Sequence, residues 1–116
     1  MTSVTIWHNP RCSKSRQTLA LLQDRGVEIV ERRYLEAPPT RDEITAALSA
    51  LGISAGELLR RGEAQFKSLE LGKDAPDAAL LDAMAEHPVL IERPIVFKGS
   101  RAVLGRPPEN VLALFD

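Results

Sequence analysis

The chain has 116 residues, a formal net charge of −1 at neutral pH, 44% hydrophobic residues and 27% charged residues. This length fits one domain with its own core, and the balanced charge argues against a general nucleic-acid-binding protein. No apolar run approaches the roughly 18 residues of a membrane span, and the N-terminal MTSVTIWH lacks the segments of a signal peptide, so we expect a cytoplasmic protein whose single cysteine stays reduced.

The first third of the chain predicts a β-loop-α-β unit. Residues 3–7 (SVTIW) are mostly β-branched or aromatic and predict a strand, which the following NPR ends. The composition from Ser13 to Arg25 favours a helix that ends at Gly26, and residues 27–35 (VEIVERRYL) predict a second strand. Two strands joined in this way normally pair in parallel, with a right-handed crossover.

The middle of the chain predicts a block of helices, at about residues 40–87. A capping-box pattern, T-x-x-E, begins at Thr40, and a second, S-x-x-E, begins at Ser54, each ahead of apolar residues at helical spacing. Asp77 is a candidate cap for a further helix, which Pro88 ends.

The last third of the chain returns to strands. RPIVF and RAVLG predict two short strands joined by a three-residue hairpin loop, KGS, and RPPENVLALFD predicts a helix that starts at Pro107 or Pro108. The whole order is βαβ, a helical block, then ββα. We therefore expect an α/β protein with a thioredoxin-like mixed sheet, in one domain (1–116) with an all-helical insertion at about 40–87.

The candidate reactive residue is Cys12, in the loop between the first strand and the first helix. A helix N-terminus and cationic neighbours such as Lys14 favour a thiolate over a thiol. The alternative is a small, buried, inert cysteine. Ser15 stands where a C-x-x-C motif has its second cysteine, so an oxidised or adducted Cys12 needs an outside thiol for release.

Two residues near the cysteine, His8 and Ser15, each have two possible roles. His8 either tunes the thiol or merely ends the first strand, and Ser15 either donates a hydrogen bond to the thiolate or a bound anion, or caps the helix. One cysteine and two distant histidines do not form a metal-binding pattern, so we expect no metal site.

At this point the sequence resembles a known family. WHNPRCSKSR, YLEAPPTRDEI, LGISAGELLRR, HPVLIERPIV and GRPPENV, at their spacing over nearly the whole chain, are similar to the glutaredoxin-dependent arsenate reductases. The resemblance implies a thioredoxin-like fold with an inserted helical region. It also implies reduction of arsenate to arsenite by one catalytic cysteine, with glutathione as co-substrate, glutaredoxin as partner and no bound cofactor.

The family's functional residues match positions of this chain. The resemblance implies that Cys12 is the nucleophile, that His8 and Ser15 support it, and that a cis peptide bond precedes Pro94. The three oxyanion-binding arginines of the family fall on Arg60, Arg93 and Arg106. Several guanidinium groups would offset the repulsion between a thiolate and a tetrahedral anion. For each arginine the alternative is an ordinary solvated surface charge.

The sequence departs from the family at one point. Gly-Thr-Ser-Arg is usual after the cysteine, whereas this chain has Ser-Lys-Ser-Arg, which indicates a related branch. Two other functions therefore stay open. One is a glutathione-dependent thiol-disulfide reductase of the same fold, and the other is a non-enzymatic transcription regulator of this fold, against which the serine at position 15 counts.

Overall fold

The computed structural model describes residues 3–60, 75–92 and 94–115. Contacts divide the chain into two units, one formed by Met1–Ala37 with Arg93–Asp116 and the other by Pro38–Glu92. The second unit contains the segment in which the sequence predicts a helical insertion. Among the described residues, no helix has the length and apolar character needed to cross a membrane.

The first unit is built on a four-stranded mixed sheet. Its strands, in chain order, are β1 Ser3–Trp7, β2 Glu28–Arg32, β3 Ile95–Lys98 and β4 Arg101–Leu104. Their spatial order is β2-β1-β3-β4, with β1 parallel to β2 and antiparallel to β3, and β3 antiparallel to β4. This is the mixed sheet expected of a thioredoxin-like fold.

The core of the first unit lies between the sheet and two helices. Helix α1 (Ser13–Asp24) joins β1 to β2, and a 3₁₀ helix (Pro108–Phe115) ends the described chain. Their apolar faces meet alternate residues of the sheet, because side chains two apart on a strand share a face. The fully buried members of this cluster are Val4, Ile6, Leu22, Val96, Val111 and Leu114.

The second unit is helical, as the sequence predicts. It contains α2 (Arg41–Leu51), α3 (Ala55–Leu58), α4 (Asp77–Glu86) and a 3₁₀ turn (Pro88–Leu90). Both predicted capping boxes are present: the side chains of Thr40 and Ser54 each accept a hydrogen bond from the backbone three residues later, and the glutamate at that position bonds back. Gly52 ends α2 in the left-handed conformation, at φ 70°, which favours glycine.

Several predicted boundaries were wrong. The second strand ends at Arg32 rather than residue 35, because its partner β1 ends at Trp7 and the chain then turns. The hairpin loop has two residues rather than three, since Lys98 pairs with Arg101.

Two helix predictions also need correction. Asp77 is the first residue of α4 rather than its cap, a position held by Pro76. The final helix starts at Pro108, one of the two predicted positions, but it is a 3₁₀ helix rather than an α-helix. In its first turn the Asn110 N–H donates to the Pro107 carbonyl, three residues back, at 3.0 Å.

Candidate active site

Cys12 lies at the start of α1, in the loop that follows β1. It is the N-cap residue of the helix, with an extended backbone (φ −92°, ψ 123°), and it is buried. Its N–H donates to the Asn9 carbonyl at 3.0 Å, and its carbonyl accepts the first helical hydrogen bond, from the Arg16 N–H, at 3.0 Å. The backbone therefore holds the sulfur-bearing residue at the junction of strand and helix.

Hydrogen bonds from side chains hold the loop between His8 and Arg16 in place. The Asn9 Oδ1 accepts from the Arg11 N–H at 3.0 Å, and the Arg16 guanidinium donates to the Pro10 carbonyl at 2.9 Å. The Asn9 N–H donates to the Ser15 hydroxyl at 3.1 Å. Two of these bonds thus tie the start of the loop, at Asn9 and Pro10, to the first turn of α1.

Ser15 has a role that the sequence did not indicate. It is fully buried, and its Oγ lies 2.6 Å from His8 Nδ1 while it accepts from the Asn9 N–H. Because the oxygen already accepts from Asn9, its own hydrogen is available to His8 Nδ1, which leaves the His8 proton on Nε2. Ser15 therefore links the end of β1 to the loop and is not the helix cap.

The charge of His8 follows from its surroundings. It is 3% exposed, and this burial is the main cause that lowers its pKa below 6.5; Arg33 and Arg16 lower the pKa further. Glu31 opposes the shift, with its Oε1 4.0 Å from His8 Nε2. His8 is therefore neutral at neutral pH and acts there through its hydrogen bond rather than as a cation.

The start of α1 favours a negative charge. No side-chain capping hydrogen bond closes it, no acidic residue lies in its first turn, and Lys14 adds a positive charge there. The first amides of a helix carry a partial positive charge, and this charge stabilises nearby anions. Both a thiolate and an oxyanion are species of this kind.

Arg106 lies in the first unit, directly after a close contact with α1. The Gly105 N–H donates to the Pro94 carbonyl at 2.9 Å. A Cβ on Gly105 would lie 2.6 Å from Thr18 Oγ1 and 2.8 Å from Pro94 Cγ, so only glycine allows this approach. Arg106 itself is exposed, and its carbonyl accepts from Asn110 Nδ2 at 3.0 Å.

The other two predicted arginines, Arg60 and Arg93, are not among the described residues of the first unit. Arg60 is half-buried in the second unit, where its N–H donates to the Leu90 carbonyl at 2.7 Å and its Nε lies 4.0 Å from Glu92 Oε1. Arg93 lies outside the described residues, and so does the predicted cis bond between it and Pro94. The cis peptide bond found in the described chain is Arg106–Pro107.

A cleft of about 250 Å³ beside the cysteine loop was missed by the sequence analysis. Residues 8–11 form one wall of the cleft, and Arg33, Leu35 and Glu36 form the second wall. The sequence predicted a strand through residue 35, so the turn that forms the second wall was not expected. Arg11 and Arg33 are visible in the sequence, but only the structure shows that they line one cleft.

Metal binding has no support in the described chain. Across residues 3–60, 75–92 and 94–115, no group of three or more histidine, cysteine, aspartate or glutamate side chains is arranged to hold a metal ion.

Comparisons with known proteins identify the family. Residues 7–114 match the model of the ArsC family. The chain is 44% identical to an arsenate reductase of Haemophilus influenzae, over 97% of this chain and 98% of that protein, and 47% identical to the uncharacterized protein YfgD of Escherichia coli, over 96% and 95%. A solved structure, an arsenate reductase from Vibrio cholerae, is 46% identical and superposes with a TM-score of 0.93 over 97% of each chain. The chain therefore belongs to the ArsC family.

Proposed function

We propose that this protein reduces arsenate to arsenite, with Cys12 as the nucleophile. The observation that carries the proposal is the position of Cys12, held as the N-cap of a helix whose start has no capping side chain and no acidic residue. The arsenate reductases among its relatives, similar over nearly the whole chain, support the choice of substrate. A single cysteine suits a reducing compartment, so we also propose that the protein is cytoplasmic.

The first step joins sulfur to arsenic. The Cys12 thiolate attacks the arsenic atom, a sulfur–arsenic bond forms, and an arsenate oxygen leaves as water after it takes up protons. The partial positive charge at the start of α1 favours both the attacking thiolate and the bound oxyanion. Neutral His8 keeps Ser15, and with it the loop, in place during this step.

The second step needs an outside thiol, for which we propose glutathione. Its thiolate attacks the Cys12 sulfur, and the sulfur–arsenic bond breaks with its electron pair going to arsenic, which leaves as arsenite. Cys12 is then in a mixed disulfide with glutathione. Ser15 has no sulfur to resolve this disulfide, so a thiolate of glutaredoxin attacks the glutathione sulfur and releases Cys12 as a thiolate.

We further propose that Arg60, Arg93 and Arg106 bind the arsenate oxygens. Arginine presents a planar fork of donors that matches a tetrahedral oxyanion and remains charged at all relevant pH values. The tight packing of Gly105 against Thr18 supports Arg106 in particular, since it brings the residue before Arg106 onto the helix that starts at Cys12. Loss of one such charged hydrogen bond costs about 1.5–3 kcal/mol.

The test is turnover of purified protein with arsenate, glutathione and glutaredoxin, coupled to oxidation of NADPH. We expect Cys12→Ser to lower turnover by about 10³-fold or more, and Arg106→Gln to lower kcat/KM for arsenate by about 10- to 100-fold. Arg101→Gln, an exposed arginine that donates to the Ala113 carbonyl, is the matched control. A wild type that ignores arsenate but reduces a glutathionylated peptide would favour the thiol-disulfide reductase instead.

A further inference from the structure

The cleft beside the cysteine loop has a charge pattern of its own. Its lining residues include two arginines, Arg11 and Arg33, and one glutamate, Glu36. Arg11, Arg33 and Glu36 are all exposed, and across residues 3–60, 75–92 and 94–115 no ion pair joins them to one another. The cleft therefore offers two positive groups and one negative group to a ligand.

The wall opposite the cysteine loop is a defined turn. The N–H groups of Glu36 and Ala37 both donate to the Arg33 carbonyl, each at 2.9 Å. This turn holds Arg33 and Glu36 on the same side of the cleft as Leu35, whose side chain is 41% exposed. An exposed leucine between charged groups provides an apolar surface for the carbon chain of a bound molecule.

We propose that this cleft binds glutathione, the thiol co-substrate, a proposal that rests on the function proposed above. Glutathione carries two carboxylates and one ammonium group, the complement of two arginines and one glutamate. Charge-assisted hydrogen bonds of this kind are the strong ones, and arginine binds carboxylates with two parallel bonds. A volume of about 250 Å³ is on the scale of a small-molecule site rather than of the surface that a protein partner covers.

The cleft also lies next to the reacting residue along the chain. Arg11 is part of the cleft and is the chain neighbour of Cys12, so their Cα atoms are about 3.8 Å apart across a trans peptide bond. The carbonyl of Asn9, another lining residue, accepts the Cys12 N–H. An extended tripeptide spans about 10 Å, so a glutathione bound in the cleft lies within a tripeptide's length of the Cys12 backbone.

The proposal is tested by binding of S-methylglutathione, whose blocked sulfur cannot form a disulfide. Isothermal titration calorimetry compares wild type with Arg33→Gln and Glu36→Gln, and with Arg25→Gln as a control that removes another exposed arginine of the same unit. We expect the dissociation constant to rise about tenfold in Arg33→Gln, severalfold in Glu36→Gln, and not at all in Arg25→Gln.

Turnover separates this proposal from the function on which it rests. In Arg33→Gln we expect the KM for glutathione to rise about tenfold, while the KM for arsenate stays unchanged. Equal binding by Arg33→Gln and Arg25→Gln, or no binding by the wild type, would overturn the cleft assignment even if arsenate turnover is normal. So would an Arg33→Gln variant whose only defect is a raised KM for glutaredoxin. Normal S-methylglutathione binding without arsenate turnover would instead defeat the proposed reaction alone.

Discussion

Helices α1 and α2 begin in opposite ways. At α2, the sequence Thr40-Arg41-Asp42-Glu43 forms a closed capping box, with hydrogen bonds of 3.1 Å and 3.0 Å between Thr40 and Glu43 and two acidic residues in the first turn. At α1, the equivalent residues are Cys12-Ser13-Lys14-Ser15, with no side-chain cap and no acidic residue. The residue in the position of Glu43 is Ser15, which bonds to His8 and Asn9 instead.

The start of α2 therefore contributes to stability, whereas the start of α1 is available for a reaction at Cys12. At α2 the local side chains satisfy the first amides and offset the positive end of the helix. At α1 no acidic side chain offsets the partial positive charge of the first amides, so this charge can stabilise a Cys12 thiolate and a bound anion. The loop before α1 is held instead by hydrogen bonds from buried side chains. Functional sites commonly give up local stability in this way.

The largest effect on stability is expected from Ser15→Ala. It removes the hydroxyl that joins His8 Nδ1 to the Asn9 N–H, and it leaves these buried groups unsatisfied, at a cost of about 1–3 kcal/mol in the free energy of unfolding. Urea denaturation measures this cost, with the exposed Ser13→Ala as control. Equal stability of the two variants would show that the loop does not depend on Ser15.

The next effect is expected from Thr40→Ala, which opens the capping box of α2. Loss of an N-cap side chain costs about 1 kcal/mol, and we expect that decrease in the free energy of unfolding. The rate at which iodoacetamide alkylates Cys12 should stay at the wild-type value, because this helix start serves stability alone. A changed alkylation rate would show that the start of α2 also affects the reactivity of Cys12.

A smaller effect is expected from Lys14→Glu, which gives α1 an acidic first turn like that of α2. A charge near a helix end is worth about 0.3–1 kcal/mol, so reversing this one should slow alkylation of Cys12 by about two- to fivefold at pH values below the midpoint of the wild-type rate profile. The reciprocal change, Asp42→Lys, should destabilise the fold slightly and leave alkylation unchanged. An unaffected rate in Lys14→Glu would mean that the start of α1 does not stabilise the thiolate.

The smallest effect concerns the pH dependence contributed by His8. Because burial lowers its pKa below 6.5, the unfolded chain binds the proton more readily, so this contribution to stability is complete above pH 6.5 and is lost as the pH falls through the folded pKa. His8→Asn, which keeps a hydrogen-bond acceptor, should lose less stability than wild type between pH 7.5 and 5.5. Urea denaturation at both pH values measures this, and a wild-type pH dependence in His8→Asn would contradict it.

Local patterns explain what could be predicted from the sequence. The capping boxes at Thr40 and Ser54 depend on residues three apart, so they can be identified without the fold. The succession of elements along the chain follows from hydrophobic patterning, and the parallel pairing of β1 with β2 is the usual outcome of a β-α-β unit.

Other features depend on contacts between distant residues. The bond of Ser15 to His8 crosses seven residues, and the cleft joins residues 8–11 to the turn at 33–37. Gly105 is required because two segments, at Thr18 and Pro94, meet its backbone. None of these contacts leaves a periodic pattern in the sequence, so they could be found only from the structure.

The most direct test of the account is the rate of Cys12 alkylation by iodoacetamide as a function of pH, measured with and without sulfate as an inert tetrahedral anion. Since the start of α1 favours the thiolate, we expect a rate already at its plateau by pH 7, and protection of the thiol by sulfate. A rate that is low at pH 7 and rises through about pH 8.5, where an ordinary cysteine ionises, with no effect of sulfate, would contradict the account.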